Sequence, residues 1–268
     1  MDKSLVSVIL TCYNQTPYLA EALESVLNQT YPHWECIILN DGSTDHSEEI
    51  AKQYVCKDPR FVYISQSNQG VVAARNHAIK ASKGKYILPL DGDDTIEPQY
   101  LELATRLLDQ DNELMLVYCD VRKFGAESGI LPLAEMNTRN ILRSGCCVST
   151  SMYRKEVYDR IGGYKEDMRD GWEDWEFFIS LMEIGGKVQK INQVLFNYRF
   201  MVDSRDRAIS DQKREILKSK LVQLHPALYY HEYERLLTDY EAITQTSLGK
   251  LFLKTQNLIH TMMRIIRK

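Results

Sequence analysis

Three aspartates close a short apolar run in Leu88-Pro89-Leu90-Asp91-Gly92-Asp93-Asp94. Carboxylates held so near one another repel, and a hard divalent cation such as Mg2+ or Mn2+ relieves that repulsion while also accepting oxygens of a diphosphate. A cation placed there neutralises charge on a departing phosphate oxygen. The same residues equally make a solvated acidic turn that caps a helix expected from Pro98, and the triplet alone leaves both readings open. In Asn40-Asp41-Gly42-Ser43-Thr44-Asp45, Asp41 can meet a base or ribose, or the segment is a turn with a helix cap. In Gly70-Val71-Val72-Ala73-Ala74-Arg75-Asn76, Arg75 offers a counter-charge to phosphate or a donor to a base, or else forms a helix-surface ion pair. Gly171-Trp172-Glu173-Asp174-Trp175-Glu176 sets two aromatic rings around adjacent carboxylates. That is a sugar-stacking platform beside a general base, or an ordinary acidic first turn.

The elements that must position these residues follow from periodicity. Apolar runs at 5–10, 34–39, 61–64 and 86–90 read as strands, and residues 15–29, 46–55, 70–83 and 98–108 carry helical spacing. Ser43, Thr44 and Asp45 are candidate N-caps for the second helix. Continuous apolar strands alternating with helices predict an α/β fold, a mostly parallel sheet covered on both faces. Ligands of such sheets bind beyond the carboxyl ends of the strands, so residues 11–14, 40–45 and 91–94 should converge on one edge. After a strand at 116–120, residues 125–145 carry Gly, Pro and Asn in no regular pattern and read as a mobile loop over the acceptor side. A strand-to-helix passage at 152–161, a Gly162-Gly163 turn, a helix at 175–183 and a strand at 188–199 follow, with helical pattern from 211 onward. The expected organisation is a catalytic domain over 1–210 and a helical extension over 211–268, interfacial or oligomerising.

Composition bounds the function. The 268 residues, 44% hydrophobic and 26% charged, exclude disordered and fibrous classes, and 33 Lys and Arg against 37 Asp and Glu exclude a general nucleic-acid binder. No window has the roughly 18 apolar residues of a spanning helix, and the N-terminus lacks a signal peptide's regions. A cytoplasmic location is expected, peripheral on the cytoplasmic membrane face where the tail allows. Residues 248–268 hold five Lys or Arg and no acid, so the net charge of −4 divides into +5 there and −9 before it. Leu251, Leu258, Ile259, Met262 and Ile266 recur there at helix-like spacing, which reads as a basic amphipathic helix on an anionic membrane or a terminal helix packed on protein. Six cysteines include no C-x-x-C pair. Cys12, Cys36 and Cys119 read as buried thiols, and Cys146-Cys147 as buried thiols or a redox pair, which suits a reducing compartment. No Walker-A loop, G-x-S-x-G elbow or H-E-x-x-H occurs.

In order, Val-Ser-Val-Ile-Leu-Thr-Cys-Tyr-Asn (6–14), Asn-Asp-Gly-Ser-Thr-Asp (40–45), Ala-Ala-Arg-Asn (73–76), Leu-Asp-Gly-Asp-Asp (90–94), Trp-Glu-Asp-Trp-Glu (172–176) and Asn197-Tyr198-Arg199 resemble the family 2 glycosyltransferases. The resemblance spans residues 5 to 200. It implies a GT-A fold, a Rossmann-like mostly parallel sheet flanked by helices, here with a helical C-terminal extension. It further implies inverting transfer of a sugar from a nucleotide-diphosphate sugar, a UDP-sugar foremost, to a hydroxyl of a glycan or lipid-linked acceptor, as in polysaccharide biosynthesis of the cell envelope. Mn2+ or Mg2+ would be the cofactor. Carried over residue by residue, the resemblance puts Thr11, Tyr13, Asp41, Arg75 and Asp91 at the nucleotide, Asp93 at the metal and Asp174 as catalytic base, with Glu173 and Trp172 supporting base and acceptor. Thr11 stands where many members have Pro, and Asn40 where many have Asp. The Gln-x-x-Arg-Trp motif of processive synthases is absent, which implies transfer of single sugars. The competing readings are a non-catalytic nucleotide-sugar-binding protein of the same fold, and a glycosidase using a carboxylate pair.

Overall fold

The computed structural model describes residues 3–146, 148–201 and 209–246. The apolar runs form β1 (Val6–Cys12), β2 (Trp34–Asn40), β3 (Phe61–Ser65) and β4 (Tyr86–Asp91), separated by α1 (Leu19–Leu27), α2 (Ser47–Lys57) and α3 (Val71–Ala81). Every residue of β1 is buried, as expected for a central strand covered on both faces. Next come β5 (Thr95–Ile96), α4 (Tyr100–Gln110), β6 (Leu114–Gly125), β7 (Gly129–Leu131), α5 (Thr138–Ile141), β8 (Met152–Arg154), α6 (Lys155–Ile161), α7 (Glu173–Glu183), β9 (Lys187–Phe200), α8 (Asp211–Leu224) and α9 (Pro226–Gln245).

The sheet runs β3-β2-β1-β4-β8-β6-β9-β5, with β7 paired to β6. Strands β3, β2, β1 and β4 are mutually parallel, as are β6 and β9, whereas the short β5, β7 and β8 pair antiparallel. This is the mostly parallel, helix-flanked α/β sheet expected from the sequence. Register sets the functional edge: Thr11 lies opposite Asp91, and Cys12 opposite Asn40. A one-residue slip would turn each of these side chains to the other face. The core packs Val8, Leu10, Ile38 and Leu88 against Leu19, Leu23 and Val26 of α1 and Tyr100 and Leu101 of α4.

Three local expectations change. Residues 125–145 contain β7 and α5, and the Asn137 side chain caps α5 by accepting from the Asn140 N–H. Helix α7 begins at Glu173 because Trp172 adopts a left-handed conformation (φ 59°), so the chain turns sharply into the helix. Helix α2 begins after His46, which makes no side-chain cap. Asp45 takes the Ser47 N–H at 3.0 Å together with the Thr16 N–H at 3.0 Å, and Ser43 takes the Asn14 N–H at 3.0 Å. The three candidate caps therefore serve the junction of the first two strand-end loops more than the helix.

Two compact units divide at Leu221 and Val222, so the first part of α8 belongs with the sheet. In the second unit, α9 leaves Tyr230, Tyr233, Leu236, Leu237, Tyr240 and Ile243 exposed. No helix among the described residues is long and apolar enough to cross a membrane. The expected amphipathic helix at 248–268 and Cys147 of the vicinal pair lie outside the described residues.

Candidate active site

Strand ends build the floor. Thr11 donates its hydroxyl to Asp91 at 3.3 Å across the β1–β4 register. The buried Asp41 carboxylate accepts from Gln66 Nε2 (2.8 Å) and from the backbone N–H groups of Gln69 (2.9 Å) and Gly70 (2.8 Å), locking the end of β2 to the start of α3. Gly42 follows with φ 74°, and a Cβ there would stand 2.7 Å from the Asn68 amide nitrogen, so only glycine lets these loops meet. Asn40, where an Asp is common in the resembling family, donates to the Tyr63 hydroxyl (3.0 Å) and accepts from the Ser43 N–H (2.9 Å). Its amide supplies a donor and an acceptor together, which a carboxylate does not. Tyr13 stands exposed at the rim.

Arg75 is the structural centre. At 2% exposure it donates from Nη1 to Glu173 (3.0 Å) and from Nη2 to Asp91 (2.8 Å). The helix-surface ion pair considered from sequence is instead a buried bridge between α3, the end of β4 and the start of α7. Burial opposes the charge, yet Asp91 and Glu173 outweigh it and hold the guanidinium well above its usual pKa. Glu173, expected to orient base or acceptor, has its carboxylate 2% exposed and engaged by this arginine. The next residue in the chain, Asn76, holds the turn after α6: it donates to the Tyr164 carbonyl (2.8 Å) and accepts from the Tyr158 hydroxyl (2.9 Å) and Tyr164 N–H (3.0 Å).

The acidic cluster divides by role. Buried Asp94 accepts the Arg199 N–H at 2.7 Å, while Arg199 Nε donates to the Asp93 carbonyl at 2.7 Å. The Arg199 guanidinium also pairs with Glu21 and stacks near the rings of Tyr18 and Phe124 (4.5 and 4.3 Å). Asp94 thus pins the acidic turn to β9. Burial, and then the charge of Asp91, push the Asp93 carboxyl up to about 6, and burial with Asp93 and Asp91 pushes Asp94 well above the carboxylate range. The cluster is short of positive charge. Among the described residues no group of three His, Cys, Asp or Glu side chains is arranged to hold a metal. The residues fit an ion bound by a carboxylate and a substrate's phosphates, the habit of Mg2+, and do not fit an all-protein cage.

Asp174 sits in the first turn of α7 and accepts from the Trp175 N–H at 2.8 Å. The Trp172 and Trp175 rings lie 5.0 Å apart, and Trp175 Nε1 donates to the Ile141 carbonyl at 2.6 Å, tying α5 to this corner. All nine residues singled out from the sequence line one cavity of about 1070 Å3. That volume exceeds the usual range of about 300–1,000 Å3 for small-molecule sites. Sequence reasoning left Arg143, Arg169, Arg214 and Lys218 unassigned, although they line the same cavity. No motif contains them.

Residues 7–162 match the family model Glycosyl transferase family 2. The chain belongs to that family. This family 2 glycosyltransferase is similar to EpsJ of Bacillus subtilis, at 32% identity over 73% of this chain and 61% of EpsJ. It is also similar to chondroitin synthase of Escherichia coli, at 31% identity over 72% of this chain and 28% of that one. The chain therefore spans less than two thirds of either relative. Among solved structures, S. aureus TarS 1–349 in complex with UDP-GlcNAc superposes with a TM-score of 0.68 at 20% identity, covering 79% of this chain and 64% of that one, and so shares its fold.

Proposed function

We propose that this family 2 glycosyltransferase moves one sugar from a UDP-sugar to a hydroxyl of a glycan or lipid-linked acceptor, with inversion, in polysaccharide assembly. One observation carries the reading: Asp93, short of positive charge, and Asp174, at the start of α7, line a single cavity large enough for two substrates. Thr11, Tyr13, Asp41 and Asp91 form the nucleoside end, and Arg75 holds Asp91 in place. Asp93 would hold Mn2+ or Mg2+, which would supply Lewis-acid neutralisation of the leaving group. Asp174 takes the proton of the acceptor hydroxyl while that oxygen bonds to the anomeric carbon. The bond from that carbon to the diphosphate oxygen breaks on the opposite face, and the nucleoside diphosphate leaves. Trp172 and Trp175 offer the aromatic surface on which an acceptor sugar stacks. The fold shared with UDP-GlcNAc-bound TarS supports a UDP-sugar, and similarity to chondroitin synthase supports polysaccharide assembly.

Asp174→Asn tests the base. Transfer should fall by about 10² to 10⁴ while UDP affinity, read by thermal shift with Mn2+, stays within threefold. Retained transfer removes Asp174 from the role. Wild-type protein that binds UDP yet transfers no sugar across a donor and acceptor panel favours the non-catalytic binding protein, and a flat shift across UDP-, GDP- and TDP-sugars removes the donor pocket.

A further inference from the structure

The cavity lining includes four cations that none of the strand-end motifs contains. Arg143 comes from the segment after α5, Arg169 from the end of a 3-10 turn at Glu166–Met168, and Arg214 and Lys218 from successive turns of α8. Three segments far apart in sequence thus bring four cations to the cavity that Asp41, Asp91, Asp93, Asp94, Glu173 and Asp174 also line; of the four, Lys218 pairs with Glu215 and Arg214 has an interaction of its own. Of the acids adjacent to these cations in sequence, Asp170 pairs with Lys213 (3.5 Å) and Lys220 (3.9 Å), and Glu215 with Lys218 (2.7 Å). Arg143 and Arg169 are exposed and have no carboxylate partner among the described residues. Like charges gathered in one concavity repel, and the arrangement gains when an anion sits among them.

We infer that the acceptor is anionic: a glycan or polyol carrying a phosphate or carboxylate a short way from the hydroxyl that Asp174 deprotonates. This rests on the transfer reading above and adds the acceptor's chemical class to it. The planar guanidinium forks of Arg143 and Arg169 suit two-point contact with either anion. The tryptophan pair beside Asp174 takes the neutral ring of the same molecule. The donor diphosphate is the other anion that Arg143 and Arg169 can meet, so the test separates the two.

The full chain is saturated with UDP and Mn2+, and three probes are titrated by calorimetry: a glycerol-phosphate tetramer, tetragalacturonate and neutral maltotetraose. At least one anionic probe should bind about tenfold or more tighter than maltotetraose and weaken as salt rises. In R143Q/R169Q, two exposed positions, that probe should lose about tenfold in affinity while UDP affinity and the melting temperature stay unchanged. Equal binding of anionic and neutral probes, undetectable binding of every anionic probe, or unchanged anion affinity in the variant overturns the inference. A parallel loss of UDP affinity assigns the arginines to the donor and likewise overturns it. If UDP itself fails to bind wild type, the donor reading fails first, which the UDP titration shows before any probe is added.

Discussion

Removing the Arg75 guanidinium should destabilise the sheet-bearing unit more than any other single charge change at the site. Arg75→Met keeps much of the side-chain volume and takes the guanidinium away from Glu173, at 2% exposure, and from Asp91, at 32%. Breaking a buried pair by deleting one partner costs about 3–5 kcal/mol, because the remaining charge stays desolvated. Asp91 is exposed enough to regain hydration, so Glu173 dominates that cost. For a unit of 150–250 residues each kcal/mol lowers the melting temperature by about 2–4 °C, which predicts a drop of about 6–20 °C. Arg75→Lys should fall between wild type and Arg75→Met, since one ammonium on a flexible stem serves Glu173 and Asp91 less well than a fixed fork. The double variant Arg75→Met/Glu173→Leu also removes the buried carboxylate that Arg75 holds and should melt above Arg75→Met alone. Scanning calorimetry in divalent-free buffer measures all three. An Arg75→Met protein melting within about 2 °C of wild type, or a double variant no better than the single, refutes the buried bridge as a major support of the fold.

Asp93 gives a pH signature. Its carboxyl titrates near 6 in the folded chain against an ordinary 3.8, so the native state holds more protons between those values and ionisation of Asp93 costs stability as pH rises through that window. In divalent-free buffer Asp93→Asn should therefore melt above wild type at pH 7, with the gap closing by pH 4; a gap independent of pH contradicts the assignment. Thiol chemistry checks the sheet. Burial pushes Cys12 and Cys119 up to about 12 and Cys36 well above the usual thiol, while Cys56 is exposed. Iodoacetamide at pH 8 should label Cys56 and spare the other three in native protein, and peptide mass spectrometry showing Cys12 labelled would count against the buried β1.

Elements with strong short-range signals were legible in the sequence. The largely apolar β1 and β2, the helical spacing of α1 and the glycine-bearing turns that follow β2 and β4 each follow from neighbouring residues alone. The paired Gly162-Gly163 turn is real, with both residues at positive φ. The segment at 125–145 was not legible, because β7 is held by its pairing to β6 and α5 by the Trp175 indole, contacts made by residues elsewhere in the chain. Likewise, of the caps proposed at Ser43, Thr44 and Asp45, the first two meet Asn14, about 30 residues away, while Asp45 serves the Ser47 N–H at the start of α2 and the equally distant Thr16 N–H with its two oxygens.

The sequence by itself determined which chemistry is available: carboxylates at strand ends, an arginine on a helix of small residues, an acid pair between tryptophans, and their order along an α/β chain. Tertiary structure decided what each one does. Arg75 meets Glu173 across 98 residues and Asp94 meets the Arg199 backbone across 105, so one acid of each adjacent pair is committed to holding the fold, while Asp174 lines the cavity and Asp93 stays short of positive charge. The reason is physical: hydration, ionisation and ion pairing depend on what lies within a few ångströms in space, and that is set by packing and strand register, which no local pattern of residue types contains.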